Sequence, residues 1–322
     1  MGAGVFPDGK RQLCWRDFLA RRSVGHDDRA MEGRDLVLNF APTGMVATRK
    51  DHGALPLTPD EIAGAVREAC EVGITLVHLH VRCADGCPSL EPTAYAETIR
   101  AIRSFAPELV ICVSLSGRRG GDLAVRLAPL DLDGDVKPDM ASFTPGSLNF
   151  AREASTNAPQ DLMAMASTMR DRLVLPELEL FDSGMVNAVR YFENKGLLRP
   201  PHYANIILGN LYSAQADLLH AACMIRDLPA GTVWSMGGIG PAQLPANVLA
   251  IASGGGVRVG LEDNLYWNTS RSRVATNREL LERVVEIAAR LDRRPMAPAE
   301  FRRRLGLAPG NGRYGLMPGS DG

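Results

Sequence analysis

Residues 75–81 read TLVHLHV, and residues 256–262 read GVRVGLE. Both runs are short and mostly apolar, which is typical of strands that a parallel sheet buries on both faces. Six similar runs lie at residues 35–41, 109–116, 140–144, 173–181, 203–209 and 232–238. The sequence therefore predicts eight parallel strands.

Helical patterns separate most of these runs, which indicates repeated β/α units. The clearest helix begins after Thr58, an N-cap with Glu61 three residues later, and stops at Gly73. Eight units in about 260 residues favour a closed barrel over an open doubly wound sheet. The prediction is an α/β fold, a single-domain (β/α)8 TIM barrel over residues 34–308. Residues 1–33 are then a poorly ordered N-terminal extension, and residues 309–322 a frayed C-terminal tail.

The composition limits the possible partners. The 322 residues include 36 basic and 37 acidic side chains, so no charge excess indicates a nucleic-acid or membrane partner. Six scattered cysteines are too few for a disulfide scaffold and favour a reducing, cytoplasmic location. The N-terminus lacks the apolar stretch of a signal peptide, although its arginines leave a transit peptide as an alternative to an ordinary extension.

Two histidines on the second strand are the first candidate functional residues. His78 and His80 are two positions apart, so they share one face of the strand. Barrel enzymes place their active sites at the C-terminal ends of the strands. Two neutral imidazoles there would form part of a zinc site. The alternative is a pair of hydrogen-bonded interior histidines.

The eighth strand brings charge to the same end of the barrel. Arg258 and Glu262 share a face, and Asp263 begins the following loop. Glu262 could complete a site of two histidines and one carboxylate, which would leave a fourth position for water or substrate. A structural arginine–carboxylate network is the alternative. The two strands together favour the metal interpretation, with zinc as the ion.

Further polar residues are expected inside the barrel or at its mouth. At least one of Glu177 and Glu179 should support a metal ligand or close the bottom of the barrel. Gly238 and Gly240 could offer backbone amides to a phosphate, or simply form a tight turn. Cys83 and Cys87 could hold zinc as thiolates, but no second cysteine pair lies nearby. The hydroxyl candidates on strands three and four are Ser114, Ser116, Ser142 and Thr144.

Several segments together resemble one family. They are VHLHVR (77–82), PDMASFTPGSLNF (138–150), LPELELFDSG (175–184) and VRVGLEDN (257–264). In this order they resemble the β-keto acid cleavage enzymes, whose founding member cleaves 3-keto-5-aminohexanoate in lysine fermentation. The similarity extends from residue 35 to about residue 307.

The resemblance implies specific roles for these residues. It implies zinc held by His78, His80 and Glu262, with Asp263 as the general base and Arg258 beside it. The hydroxyls of Ser114 and Ser142 would contact the substrate. The implied reaction converts a β-keto acid and acetyl-CoA into acetoacetate and a new acyl-CoA. Relatives form homo-oligomers, so a dimer or tetramer is expected.

Two departures from the family pattern concern substrates. Val46 stands where the lysine-fermentation enzyme has a glutamate in the loop after strand one, so an aminated substrate would lose a partner. Neutral acyl chains are therefore expected to be preferred, although Arg49 and Lys50 nearby could favour an anion. Pro241 replaces an arginine that many relatives carry, which affects a possible CoA contact.

A competing interpretation is a zinc hydrolase of the amidohydrolase type. Those barrels also combine a His-x-His pair with an aspartate after strand eight. Their histidine pair lies on strand one, however, and further histidines end strands five and six. Here His202 lies at the start of strand six, and strand five has no histidine.

Overall fold

The computed structural model describes residues 35–118 and 122–318, which form one closed barrel of eight parallel strands. The barrel strands are β1 Leu38–Phe40, β2 Leu76–Leu79, β3 Val110–Val113, β4 Met140–Phe143, β5 Leu175–Leu180, β6 Tyr203–Leu208, β7 Val233–Gly238 and β8 Gly256–Val259. Each strand pairs with its sequence neighbours, and β8 pairs with β1 to close the barrel. The predicted (β/α)8 fold is confirmed.

A helix follows every strand. These helices are α1 Pro59–Val72, α2 Pro92–Arg103, α3 Leu123–Leu127, α4 Pro159–Asp171, α5 Ser183–Asn194, α6 Leu218–Asp227, α7 Gln243–Ala252 and α8 Asn277–Ala289, with α9 Pro298–Arg304 after the last unit. Short strand pairs outside the barrel join Asp35–Leu36 to Arg294–Pro295, Val81–Arg82 to Pro88–Ser89, and Leu148–Asn149 to Ala154–Ser155. No described helix is long and apolar enough to cross a membrane.

Strand alternation divides the side chains into two layers. On β2, Val77 and Leu79 belong to the large apolar core between strands and helices. His78 lies between them in sequence, and its ring contacts Glu177 of β5 in the barrel interior. The period of two therefore directs the apolar residues outward and the polar ones toward the barrel axis.

The start of α1 shows why the sequence signals for helices were readable. The Thr58 hydroxyl accepts a hydrogen bond from the Glu61 amide, and the Glu61 carboxylate accepts one from the Thr58 amide. The helix ends at Gly73, whose φ of 98° is a left-handed conformation that favours glycine. Both predicted boundaries are confirmed.

The bottom of the barrel is closed by the C-terminal segment. Arg302 of α9 forms a buried ion pair with Asp139, with Nη1 2.8 Å from Oδ1. Beyond it, the Leu316 amide donates to the Leu173 carbonyl at 2.7 Å, and Tyr314 is buried. The expectation of a frayed tail is therefore wrong for residues 309–318, which long-range contacts hold in place. The predicted extension at residues 1–33 lies outside the described part of the chain.

Candidate metal centre and active site

His78 on β2 and His80, directly after the strand, meet at the C-terminal mouth of the barrel. His78 and His80 are both buried, and their Nε2 atoms lie 3.4 Å apart. Burial lowers the pKa of His80, which favours the neutral ring that a metal requires. The shared face predicted from the sequence thus brings two ring nitrogens to one point.

Glu177 fixes the orientation of the first histidine. Its Oε2 lies 2.5 Å from His78 Nδ1, and its Oε1 accepts hydrogen bonds from Asn39 and Asn205. Burial disfavours the charged His78 ring, but Glu177 raises its pKa to about 9. Without a metal the ring is therefore protonated on both nitrogens. Glu177 holds the proton on Nδ1, so the Nε2 proton is the one that a metal would displace. Of the two glutamates on β5, Glu177 is therefore the one that supports a histidine.

Glu262 supplies the third group. Its Oε1 lies 3.2 Å from His80 Nε2 and 4.0 Å from His78 Nε2. Burial alone would raise the pKa of Glu262, but His80 and Arg258 hold it well below its usual range, so the group is a carboxylate. A Cβ atom on Gly44 would lie 2.6 Å from the Glu262 Cγ, and the φ of Gly44 is +66°. Glycine at this turn in the loop after β1 gives Glu262 its space.

One oxygen of Glu262 lacks a partner. Oε2 is buried and accepts no hydrogen bond from any residue that the structure describes. A buried carboxylate oxygen without a donor is costly unless a cation meets it. One carboxylate oxygen of Glu262 and one ring nitrogen from each of the two histidines lie within 4.8 Å of one another, and this set, with the second oxygen unpartnered, fits the ligands of a divalent metal.

A second group of possible ligands lies deeper in the barrel. It consists of His78, Cys112 and Glu177. Burial raises the pKa of the Cys112 thiol well above its usual value, and the thiol donates to Glu177 Oε2 at 2.9 Å. Because a metal needs the thiolate, this group is the poorer site. Within the described ranges, neither potential ligand group includes Cys83 or Cys87.

Arg258 connects the carboxylates around the mouth. Its Nε donates to Asp263 Oδ2 at 2.9 Å, its Nη2 to Glu262 at 2.6 Å, and its Nη1 to Glu179 at 3.3 Å. Burial disfavours its charge, yet the three carboxylates raise its pKa well above the usual value. The guanidinium is therefore permanently charged and held in one orientation.

Asp263 is the acid of this network that is best suited to exchange a proton. Burial raises its pKa, against the opposing effect of Arg258. Its Oδ1 lies 3.5 Å from the nearest Arg258 nitrogen, so this oxygen is held more weakly than Oδ2. A carboxylate with a raised pKa and one loosely held oxygen is suited to general-base chemistry.

These groups share one cavity of about 200 Å³ at the mouth. Its wall includes His80, Arg258, Glu262 and Asp263. The volume suits a small organic acid better than a large ligand. Apolar side chains and hydroxyls complete the lining, among them Met45, Val46, Ser114, Ser116, Thr144, Leu148, Phe150, Phe181, Ile207 and Ile239.

The structure separates the predicted substrate-contacting residues. Ser114 and Val46 line the cavity, as expected. Ser142 does not reach the cavity wall, because its buried Oγ accepts a hydrogen bond from the Leu115 amide at 2.9 Å. Thr144, one pleat further along, lies in the wall instead and donates to Glu179.

The two glycines predicted to bind a phosphate have structural roles. The Gly240 amide already donates to the Asp263 carbonyl at 2.6 Å. A Cβ atom on Gly238 would lie 2.5 Å from the Ala242 carbonyl oxygen. The expectation that bare amides would form a phosphate cradle is therefore corrected for Gly240. The tight turn is the better interpretation at both positions.

Three charged or titratable residues weighed in the sequence do not line the cavity. Arg49 pairs with Glu61, and neither Arg49 nor Lys50 lines the cavity. His202 precedes β6, so it lies at the opposite end of the strand from the active site, and its Nε2 contacts Glu193. The histidine pattern of an amidohydrolase is therefore not reproduced in the described barrel.

Sequence reasoning missed one charged residue of the cavity wall, as well as several apolar ones. Arg118 lines the wall, although it follows β3 by five residues in a loop. No periodic pattern in a sequence shows which way the side chains of a loop point. The Arg-Arg-Gly-Gly segment at 118–121 was the only indication of an unusual loop.

A family model of the β-keto acid cleavage enzymes matches residues 35–307. The 3-keto-5-aminohexanoate cleavage enzyme of Fusobacterium nucleatum subsp. nucleatum is 34% identical over 274 residues, covering 84% of this chain and 98% of that protein. The 3-oxoadipate:acetyl-CoA acetyltransferase of Cupriavidus necator is 31% identical over 280 residues, covering 84% of this chain and 94% of that protein.

A solved structure shares the fold. The ternary complex of ObcA with a C4-CoA adduct and oxalate aligns with a TM-score of 0.69 and 21% identity, covering 79% of this chain and 68% of that one. This likeness supports the barrel architecture. The match to the family model and the identity to the curated relatives extend over nearly the whole barrel, and the chain belongs to the β-keto acid cleavage enzyme family.

Proposed function

We propose that this enzyme exchanges acyl groups between a β-keto acid and acetyl-CoA, giving acetoacetate and a new acyl-CoA. The observation that carries the proposal is the Glu262 carboxylate, which has one oxygen without a donor and the other close to the Nε2 atoms of His78 and His80, beside Asp263 at the mouth of the barrel. The names of relatives that act with acetyl-CoA on keto acids support it.

We infer that His78, His80 and Glu262 would hold a zinc ion. Nitrogen and carboxylate ligands in this number are typical of catalytic zinc, which keeps one position open. When bound, the ion would polarise the ketone carbonyl of the substrate. Glu177 contributes by keeping the Nδ1 proton on His78.

Asp263 would act as the general base. The weakly held Oδ1 would take a proton from C2 of the β-keto acid, between the ketone and the carboxylate. The C2 carbanion would then attack the thioester carbonyl of acetyl-CoA. Arg258, held by three carboxylates, would keep a positive charge near the oxyanion that develops.

The remaining steps conserve the atoms of both substrates. Coenzyme A would move within the adduct to the former ketone carbon of the β-keto acid. Retro-Claisen cleavage of the bond between that carbon and C2 would release the new acyl-CoA and leave the bonding electrons on C2, which would take back the proton held by Asp263. C2 and the carboxylate would leave with the transferred acetyl group as acetoacetate.

The loop after β1 supports a preference against cationic substrates. Met45 and Val46 line the cavity and offer no carboxylate to an ammonium group. Burying an unpaired ammonium there would cost several kcal/mol. A neutral six-carbon chain should therefore exceed an aminated one by at least about tenfold in kcat/KM. Val46→Glu should shift this preference toward the aminated chain, whereas a wild-type preference for 3-keto-5-aminohexanoate would contradict this assignment.

The decisive experiment follows an isotopic label. Purified, metal-analysed protein is mixed with a panel of β-keto acids and acetyl-CoA labelled with ¹³C at its carbonyl. Mass spectrometry should find an unlabelled new acyl-CoA, and the label should appear in the ketone carbon of acetoacetate. Asp263→Asn is the matched control, since it removes the base and leaves the three proposed metal ligands.

The amidohydrolase alternative gives a different result in the same assay. Such an enzyme would hydrolyse an amide or lactone without acetyl-CoA and produce no new acyl-CoA. That outcome would overturn the proposed function. Full activity and metal content in His80→Ala would instead remove the proposed metal site.

We also propose a homo-oligomer in a cytoplasmic setting. Four large side chains near the start of α6, Leu211, Tyr212, Leu218 and Leu219, are more than 60% exposed. Clustered exposed apolar residues are typical of protein interfaces. Light scattering after size-exclusion chromatography should give a mass above one chain, and Leu218→Asp with Leu219→Asp should lower it. A monomeric wild-type protein would contradict the oligomer.

A further inference from the structure

Arg118 lies in the wall of the active-site cavity, and the proposed reaction does not yet use it. It shares that wall with His80, Glu262 and Asp263. Its backbone is fixed by a bridge to Ser155 and by an amide hydrogen bond to the Ser116 hydroxyl at 3.2 Å. The guanidinium carbon lies 3.5 Å from the centre of the Phe150 ring, which holds the cationic plane in one orientation.

The positive charge of Arg118 is incompletely met by the described residues. Its side chain is 17% exposed, and its buried Nε has no hydrogen-bond partner among them. The nearest acid is Glu153, whose Oε1 lies 3.7 Å from this Nε, too far for a hydrogen bond. A mostly buried guanidinium with an unused donor favours a bound anion.

The second arginine of the cavity cannot take the same role. Arg258 already donates to Asp263, Glu262 and Glu179. Another carboxylate at Arg258 would have to displace one of these acids. Among the described residues that line the cavity, Arg118 is therefore the cation best placed to receive an anionic group from the substrate.

We propose that Arg118 binds a carboxylate of the β-keto acid and so determines which acids the enzyme accepts. This inference rests on the proposed function and adds a specificity residue to it. The planar guanidinium matches a carboxylate through two parallel hydrogen bonds. Every β-keto acid offers one carboxylate at C1, and a diacid offers a second at its far end. Both carboxylates would form the same pair of hydrogen bonds with Arg118.

Two substrates of equal length distinguish these carboxylates. 3-Oxohexanoate and 3-oxoadipate have six carbons each and differ by the terminal carboxylate. Arg118→Gln should raise the KM of the recognised acid at least about tenfold, as expected for lost charge-assisted hydrogen bonds. Arg118→Lys should give an intermediate value. The KM for acetyl-CoA should stay unchanged in both variants.

Each pattern of results has a defined meaning. An equal loss for both acids assigns the C1 carboxylate to Arg118, and a loss for the diacid alone assigns the terminal one. Unchanged KM values for both acids overturn the proposal, and so does an effect confined to acetyl-CoA. Arg152→Gln is the matched control, because this exposed arginine lies in the same region but does not line the cavity.

Direct binding separates this inference from the proposed function. Without acetyl-CoA, calorimetric titration of each acid into zinc-loaded enzyme measures the dissociation constant alone. In one outcome, wild-type protein binds an acid, Arg118→Gln binds it at least about tenfold more weakly, and neither protein forms acyl-CoA. The proposed reaction then fails and the carboxylate site stands. If wild-type protein forms acyl-CoA while both variants bind the acids normally, the carboxylate site fails and the reaction stands.

Discussion

Replacing Glu177 with glutamine should weaken zinc binding by about ten- to a hundredfold, the usual range for loss of a group that orients a metal-bound histidine. The carboxylate accepts four hydrogen bonds. Its Oε1 receives Asn39 at 2.7 Å and Asn205 at 2.5 Å, and its Oε2 receives His78 at 2.5 Å and Cys112 at 2.9 Å. A glutamine amide can serve only one of these two sides as an acceptor.

The two orientations of the glutamine differ in cost. An NH₂ group toward His78 would force the ring proton onto Nε2, the atom proposed to bind zinc. An NH₂ group on the other side would face the amides of both Asn39 and Asn205, which would each have to turn Oδ1 toward the new donor. The Oδ1 of Asn39 is buried and lacks a partner among the described residues, and Asn205 Nδ2 could then donate to the Tyr203 hydroxyl that its Oδ1 now accepts from. The second orientation therefore preserves the fold. It exchanges a charge-assisted bond at His78 for a neutral one, at a cost of about 1–2 kcal/mol.

The assay is a zinc competition between metal-free protein and a chelating dye. Glu179→Gln is the matched control, because it makes the same change on the same strand but contacts Arg258 and Thr144. Circular dichroism checks that both variants fold. Wild-type zinc affinity in Glu177→Gln, or an equal loss in Glu179→Gln, would refute the role assigned to Glu177.

Three further predictions concern the base and the scaffold. Asp263→Asn should retain zinc but lower kcat by roughly 10²–10⁴, as expected for a lost general base, and turnover near wild type would remove Asp263 from the mechanism. Burial raises the pKa of Asp263, and a general base must be ionised, so kcat/KM should fall as the pH drops through that raised pKa. A value of kcat/KM that stays constant until the protein unfolds in acid would contradict this. Thr58→Ala should lower the free energy of unfolding by about 1 kcal/mol in urea titrations without changing kcat, since it removes the α1 cap and Thr58 does not line the cavity; an unchanged midpoint would show that the cap contributes nothing.

The barrel was predictable because its strands are short, mostly apolar runs and its helices carry capping signals. The pairing of His78 with His80 followed from strand alternation alone. The depth of a residue inside the barrel could not be predicted from strand alternation. Glu177 and Glu179 share a face, as do Ser142 and Thr144, and only the stagger between strands determines which member reaches the mouth.

Two other features depended on contacts that no local pattern encodes. Arg118 lines the cavity with its guanidinium stacked on the Phe150 ring. The C-terminal segment is ordered because Leu316 and Tyr314 pack beneath the barrel, although their own stretch is rich in glycine and has no period. Long-range packing overrode the local composition in both places.

The carboxylates gathered at the mouth also bear on the order in which ligands arrive. The acids outnumber the cations in this part of the described chain. Four carboxylates, those of Glu177, Glu179, Glu262 and Asp263, face three cations: Arg118, Arg258 and the His78 ring, which its raised pKa keeps charged without a metal. The protein alone thus presents a negative field to an anionic keto acid, and a dication would cancel the excess. Association of the acid with metal-free protein should therefore be slow and should accelerate with added salt, which makes metal first and acid second the favoured sequence.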